Sequence, residues 1–239
     1  MSSSFFQFQQ FAVRQRDSAM KIGTDGVLLG AWSEIDPLAK KVLDIGTGTG
    51  LIALMLAQRF SAISIDAIEL DQAAAAEASF NFSESPWSKR LNCIAISLQD
   101  YHKTFLGNYD HIVCNPPFYQ GTYSIMKKER DQARNHVFLP LNDLFSGIDQ
   151  FLSSKGSCSV ILPIEYEEIA TQEAEKHQLY LKRFTAVKGN KHTAFKRALL
   201  SYSRLPSDCE STELVLEKGR HDRTLVHQAL VKDFYLPMP

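Results

Sequence analysis

No stretch of this 239-residue chain is apolar for long enough to cross a bilayer, so a helical membrane anchor is not expected. The opening Met1-Ser2-Ser3-Ser4, before Phe5-Phe6-Gln7-Phe8, has no basic region and no cleavage-type site, which argues against secretion. Cysteine is scarce. The four cysteines, Cys93, Cys114, Cys158 and Cys209, form no C-x-x-C pair, which argues against a zinc knuckle or a redox dithiol. Cys93 and Cys114 lie in or beside apolar runs and are expected to be small core residues. Such usage suits a reducing cytoplasm. Internal repeats and low-complexity segments are absent. Net charge is also nearly absent, at -1, so bulk electrostatics give no pull toward a polyanion. One local absence points the other way. From Lys176 to Arg204 there is no Asp or Glu, but there are eight basic residues: Lys176, Lys182, Arg183, Lys188, Lys191, Lys196, Arg197 and Arg204. An acidic segment precedes it (Glu165, Glu167, Glu168, Glu173, Glu175). An acid-free stretch of this length is expected to track phosphates.

What is present is a regular alternation of strand and helix patterns. Lys41–Ile45 reads as a buried strand, followed by a glycine turn and a buried helix from Leu51 to Ala57. A second strand runs from Ile63 to Ile68 and ends at Glu69. Asp71 is placed to cap the Ala-rich helix that continues to about Phe82, and Pro86 enforces a break. Asn92–Ile96 and Tyr109–Cys114 are the third and fourth strands. After a polar segment from Tyr119 to Asn135, the pattern resumes with a helix near Leu141–Leu152 and a strand at Ser157–Leu162. A helix at Glu165–His177 and two strands near Leu179–Val187 and Arg197–Tyr202 complete it. This order predicts an α/β fold, a twisted and mostly parallel sheet of seven strands with helices on both faces. The last two strands, joined through Gly189-Asn190, are expected to form an antiparallel edge. Residues 1–239 read as one domain, with 1–40 as an N-terminal lid segment and 41–239 as the sheet and its basic late strands. In such sheets ligands bind at the carboxyl ends of the strands.

Two motifs fall at those ends. After the first strand stands Asp44-Ile45-Gly46-Thr47-Gly48-Thr49-Gly50. A dinucleotide fingerprint would need its third glycine at position 51, which is Leu51, so that reading is weakened. The spacing suits S-adenosylmethionine instead. Gly46, Gly48 and Gly50 let the backbone approach a ligand, and Asp44 can attract the cofactor's amino group, directly or through water. Its alternative is a cap for the turn. Glu69 can accept the ribose hydroxyls, with Asp71 as a rival better placed to start a helix. Gln99 or Asp100, after the third strand, can receive the adenine amine or belong to an ordinary loop.

After the fourth strand comes Asn115-Pro116-Pro117-Phe118. A purine's exocyclic amine is a poor nucleophile because its lone pair is delocalised into the ring. The Asn115 side-chain oxygen and the Pro116 carbonyl can accept its two hydrogens and aim the lone pair at a methyl donor. The prolines fix that carbonyl in advance, and Phe118 offers a face for the base to stack on. The pair of motifs therefore reads as methyl transfer to a nitrogen. Upstream, Thr24 and Asp25 lie between Gly23 and Gly26, where they can cap a helix expected from Val27 and cover the cofactor pocket.

The Met20–Trp32 segment, Met-Lys-Ile-Gly-Thr-Asp-Gly-Val-Leu-Leu-Gly-Ala-Trp, closely resembles the opening of the bacterial tRNA(1)(Val) adenine-N6 methyltransferases. The glycine turn, Ile68-Glu69-Leu70-Asp71, Asn-Pro-Pro-Phe and the Phe234-Tyr235-Leu236 ending fit the same family, from about Phe6 to Leu236. The resemblance implies a Rossmann-like, class I fold and S-adenosylmethionine-dependent methylation of adenosine 37 in a valine tRNA. Asn115, Pro116, Pro117 and Phe118 would hold the amine. Asp44, Gly46, Gly48, Gly50 and Glu69 would hold the cofactor, with Thr24 and Asp25 beside them. The segment 130–134 resembles the family's Arg-containing substrate loop, although Asn135 here separates Arg134 from His136. Lys188, Lys191, Lys196 and Arg197 would grip the RNA backbone, aided by Lys127-Lys128 and by Arg14 and Arg16. Phe5, Phe6, Phe8 and Phe11 alternate with glutamines and are expected in the core rather than on RNA. Other amines stay open as substrates: a protein glutamine, DNA adenine or rRNA guanine. So does a non-catalytic RNA-binding subunit. No feature calls for a membrane or an obligate protein partner.

Overall fold

The computed structural model describes residues 4–16, 21–104, 108–117, 139–219 and 222–236. A short hairpin, β1 (Phe5–Gln7) and β2 (Ala12–Arg14), leads to helix α1 (Thr24–Trp32). Four β–α units follow: β3 (Lys41–Ile45) with α2 (Leu51–Arg59), β4 (Ser64–Glu69) with α3 (Gln72–Ser83), β5 (Leu91–Ala95) with α4 (Leu98–Thr104), and β6 (Tyr109–Cys114) with α5 (Leu141–Phe151). Beyond them lie β7 (Leu152–Pro163), α6 (Glu167–Lys176), β8 (Tyr180–Asn190), β9 (Arg197–Ser203), β10 (Glu210–Gly219), β11 (Asp222–Arg223) and α7 (Leu225–Val231).

The main sheet has the order β11-β10-β8-β9-β7-β6-β3-β4-β5. It therefore has nine strands among the described residues, not seven. An antiparallel edge is present, β11 on β10, but the pair expected to form it lies elsewhere. β9 does run antiparallel to both β7 and β8, but it is an interior strand, because β10 adds in parallel outside β8. The Glu210–Gly219 strand hides in the sequence because it is mostly exposed and carries glutamates at 210, 213 and 217. The β3–β6 core was legible because parallel strands buried on both faces read as apolar runs.

Two apolar layers cover the sheet. One contains α1, α2 and the N-terminal hairpin; the other contains α5 and α6. Every residue of α2 from Leu51 to Ala57 is buried, so this helix is apolar all round. It lies under α1, whose Gly26 and Gly30 face it. A Cβ on Gly30 would come within 2.8 Å of Met55 Sδ, and one on Gly26 within 3.2 Å of Leu51 Cδ2. Helix α1 starts at Thr24, earlier than expected, and Gly23 at its cap contributes no side-chain bond. Asp71 caps α3 as read, accepting from Ala74 N at 2.8 Å. Phe8 and Phe11 are buried and stacked, with centroids 4.7 Å apart. Burying such a ring is worth roughly 1.5–3 kcal/mol. Gln9 N donates to the Phe234 carbonyl at 2.8 Å, so the two ends of the described chain clasp each other.

Candidate active site

The strand order puts the two motifs side by side. β3 pairs with β4 on one side and β6 on the other, which makes the β3/β6 boundary the switch point of the sheet. The glycine turn leaves the carboxyl end of β3, and Asn115 leaves that of β6. Between them opens a cleft of about 380 Å³. Its walls are Lys21–Gly26, Gly46–Thr49, Leu51, Ile52, Asn115, Pro116, Ile161–Pro163 and Arg197.

Gly46, Gly48 and Gly50 all have positive φ, at 67°, 57° and 81°. At Gly46 and Gly48 a Cβ would meet no atom within 4 Å, so the bare backbone faces open space. Gly50 differs: a Cβ there would lie 2.5 Å from Phe82 Cε1, so its role is packing against α3. Glu69 holds the turn. Its Oε2 accepts from Gly48 N at 2.8 Å and its Oε1 from Asp71 N at 3.0 Å. Asn81 of α3 supports the turn from behind, donating to the Thr49 carbonyl at 2.8 Å and to the Arg14 carbonyl at 2.9 Å. Sequence reading missed this brace, since nothing marks one Asn in an Ala-rich helix.

Asp44 is fully buried at the foot of the turn. Its Oδ2 accepts the Thr47 hydroxyl at 2.6 Å, while its Oδ1 has no partner among the described residues. Burial pushes its pKa up to about 7, against the lowering effects of the Thr47 hydroxyl and of the Ala53 backbone N–H at the start of α2. Both readings of Asp44 thus have support: one oxygen caps the turn, and the other is an acceptor left for a cation. An orphaned acceptor beneath an open glycine backbone fits S-adenosylmethionine, whose amino group is cationic.

Thr24, Asp25, Gly46, Gly48, Asn115, Pro116 and Arg197 come together in the cleft. Asp44, Gly50, Glu69 and Pro117 flank it. Gln99 and Asp100 lie instead in the exposed first turn of α4. Gln99 donates to Asp143, and Asp100 accepts from Ser97 Oγ at 2.9 Å and Lys103 Nζ at 2.8 Å. That is a helix cap with an ion pair rather than an ordinary loop. Phe118, Arg134 and Lys127-Lys128 lie outside the described residues.

The basic stretch is acid-free in sequence but not in space. Arg197 pairs with Asp25 at 2.7 Å, Arg204 with Asp149 at 2.6 Å, Lys176 with Glu173 at 2.6 Å and Arg183 with Glu34 at 2.9 Å. Lys188 lies 3.8 Å from Glu213 of β10 and 4.3 Å from the Phe195 ring centroid. Lys182, Lys191 and Lys196 are exposed and form no ion pair among the described residues. Arg14 is taken up by Glu77 at 3.3 Å and stacks over Phe80, and the backbone N of Arg16 donates to Glu77 at 2.7 Å.

A doubly wound sheet with a glycine cradle and Asn-Pro-Pro at its switch point defines a class I S-adenosylmethionine-dependent methyltransferase. The chain matches the Methyltransferase small domain family over residues 19–138. It is 47% identical to the tRNA1(Val) (adenine(37)-N6)-methyltransferase of Flavobacterium psychrophilum, over 98% of this chain and all of that one. It is 42% identical to the protein of the same name from Christiangramia forsetii, over the full length of both. The chain belongs to the tRNA1(Val) (adenine(37)-N6)-methyltransferase family. Among solved structures, "a predicted O-methyltransferase, protein Atu636" from Agrobacterium tumefaciens superposes with a TM-score of 0.69 at 17% identity. The match covers 88% of this chain and 96% of that one, and it speaks for the fold.

Proposed function

We propose that this protein transfers a methyl group from S-adenosylmethionine to N6 of adenosine 37 in the anticodon loop of a valine tRNA. The observation that carries this is one cleft shared by Asn115-Pro116, the glycine turn and the first turn of α1. The family membership supports the choice of substrate. When bound, the cofactor supplies an electrophilic methyl carbon on a sulfonium. The chain's own part is positioning. Gly46 and Gly48 let the backbone lie against the cofactor, and Asp44 receives its amino group. Asn115 Oδ1 and the Pro116 carbonyl accept the two amine hydrogens and turn the nitrogen lone pair toward the methyl. Orientation of this kind can lower a barrier by roughly 7–11 kcal/mol in well-ordered cases. Phe118 is assigned the stacking face. A loop base is close to single-stranded already, so splaying it into the cleft costs less than flipping it from a duplex.

On this reading residues 1–239 act as one domain, with 1–40 serving as a lid, and the protein works in the cytoplasm. No helix among the described residues is long and apolar enough to cross a membrane. The test is mass analysis of nucleosides from tRNA incubated with protein and cofactor. N6-methyladenosine at position 37 of a valine tRNA is expected. Asn115→Ala should abolish it while the protein still binds S-adenosylhomocysteine. Near-normal turnover by that variant would rule out the assigned mechanism.

A further inference from the structure

Asp25 and Arg197 meet across the cleft, although 172 positions separate them in the chain. Arg197 opens β9. Its Nε donates to Asp25 Oδ2 at 2.7 Å and its Nη1 to the Lys196 carbonyl at 3.0 Å. No partner of Nη2 is found among the described residues, and 30% of the side chain is exposed. The guanidinium is thus held through Nε and Nη1, and Nη2 is left to donate. Free N–H donors on a guanidinium held at a cleft wall suit an oxyanion.

The sheet order indicates which oxyanion. Along β3-β6-β7-β9, the glycine turn lies one strand to one side of Asn115, and Arg197 lies two strands to the other. Arg197 is paired in register with Pro163, at the end of β7. Two interstrand spacings are about 10 Å. That is comparable to the reach from the exocyclic amine of an adenosine to the phosphate on its own ribose. The cofactor's half of the cleft is on the far side of Asn115.

We infer that Arg197 grips the phosphate 5′ to the adenosine whose amine sits at Asn115, and that Asp25 is the positioning residue that aims it. The inference rests on the function proposed above and deepens it. It supplies a reason for the site to prefer a nucleotide over another planar amine. A glutamine side chain could present an amide to Asn115 but would leave Arg197 Nη2 without an acceptor.

The experiment uses full-length valine tRNA assembled by ligation. One version carries a single neutral methylphosphonate linkage 5′ to the target adenosine; its twin carries the natural linkage. Wild-type kcat/KM should fall at least tenfold on the neutral linkage. Arg197→Ala should lose a similar factor on the natural substrate and lose no more than twofold further on the neutral one. Its affinity for S-adenosylhomocysteine, measured by calorimetry, should stay within twofold of wild type, which also reports that it folds. Arg197→Lys should rescue little, because a compact ammonium cannot serve Asp25 and a phosphate in the same geometry. Asp25→Ala should raise KM for tRNA and shrink the penalty of the neutral linkage; a merely structural role would leave that penalty unchanged. Fully additive losses in Arg197→Ala overturn the inference. So does a tenfold loss of S-adenosylhomocysteine affinity, which would assign Arg197 to the cofactor. Failure of the wild type to methylate the natural-linkage tRNA would instead sink the function on which the inference rests.

Discussion

Two buried ionisable residues pull stability in opposite directions with pH. Asp44 has its pKa raised by burial from 3.8 to about 7. The native state therefore holds a proton that the unfolded chain has released, and stability falls as pH rises from about 4 to about 7. His111, also fully buried, has its pKa lowered by burial from 6.5 to about 3. Its Nδ1 is 2.8 Å from Ser157 Oγ, and its Nε2 has no partner among the described residues. Here the unfolded chain holds the extra proton, so stability rises with pH between about 3 and 6.5. The windows overlap, and between about pH 4 and 6.5 the two slopes cancel. Asp44→Asn removes one of them. Urea unfolding of that variant without cofactor, followed across pH 4–6.5, should show stability climbing by as much as about 1.4 kcal/mol per pH unit. The wild type should be nearly flat over the same range from these two groups. A flat profile in the variant would mean that His111 can hold its proton in the native state despite its burial, whereas a wild type that climbs as steeply as the variant would mean that Asp44 is ionised there. The sequence marked Asp44 by its place before the glycines. It gave no sign of His111, which looks like one more residue in an apolar strand until its neighbours from β7 are known.

At the scale of elements, the Gly23–Trp32 segment shows why a motif can be recognised before it is understood. Gly26 and Gly30 are four residues apart and lie on the face that α1 turns to α2, against Leu51 and Met55. Their absent side chains set how closely the two helices approach, and so how α1 delivers Thr24 and Asp25 to the cleft. Ala at position 30 would gain up to about 1 kcal/mol of helix propensity. Its Cβ, however, would sit 2.8 Å from Met55 Sδ and 3.0 Å from Met55 Cβ, and the second of these cannot swing away. Overpacking of this kind costs about 1–3 kcal/mol, so Gly30→Ala should be net destabilising in denaturant titration. Met55→Ala leaves a cavity of its own and costs about 2–5 kcal/mol, but the double variant should lose less than the sum of the two single losses; strict additivity would show that the close approach does not set the helix spacing. The strands were legible because apolar runs declare themselves. The start of α1 was not, because a glycine cap leaves no side-chain signature. Nor was β10, whose single buried residue, Leu214, stands in a strand with glutamates at 210, 213 and 217 that resembles a solvated loop.

Across the whole molecule, the net charge of -1 conceals where free positive charge lies. The linear run from Lys176 to Arg204 suggested a uniform phosphate track. Folding redistributes it, because ion pairs are set by strand neighbours rather than by chain neighbours. β10 lies beside β8 and brings Glu213 to Lys188 and Glu210 to within 3.9 Å of Arg183. Lys191 and Lys196, in the β8–β9 connection that leads into Arg197 of the cleft, are left exposed and unpaired among the described residues. These two, rather than Lys188, should carry the salt-dependent part of tRNA binding. Each phosphate contact contributes roughly 0.7–0.9 to the slope of log affinity against log salt. The double variant Lys191→Ala with Lys196→Ala should therefore flatten that slope by about 1.5, whereas Lys188→Ala should change it by well under one contact's worth. Binding isotherms for valine tRNA at four or more salt concentrations measure both. If Lys188→Ala flattened the slope as much as the double variant, the Glu213 pairing would have to open when RNA arrives. The charge read along the sequence would then be a better guide to the interface than the charge left over in the fold.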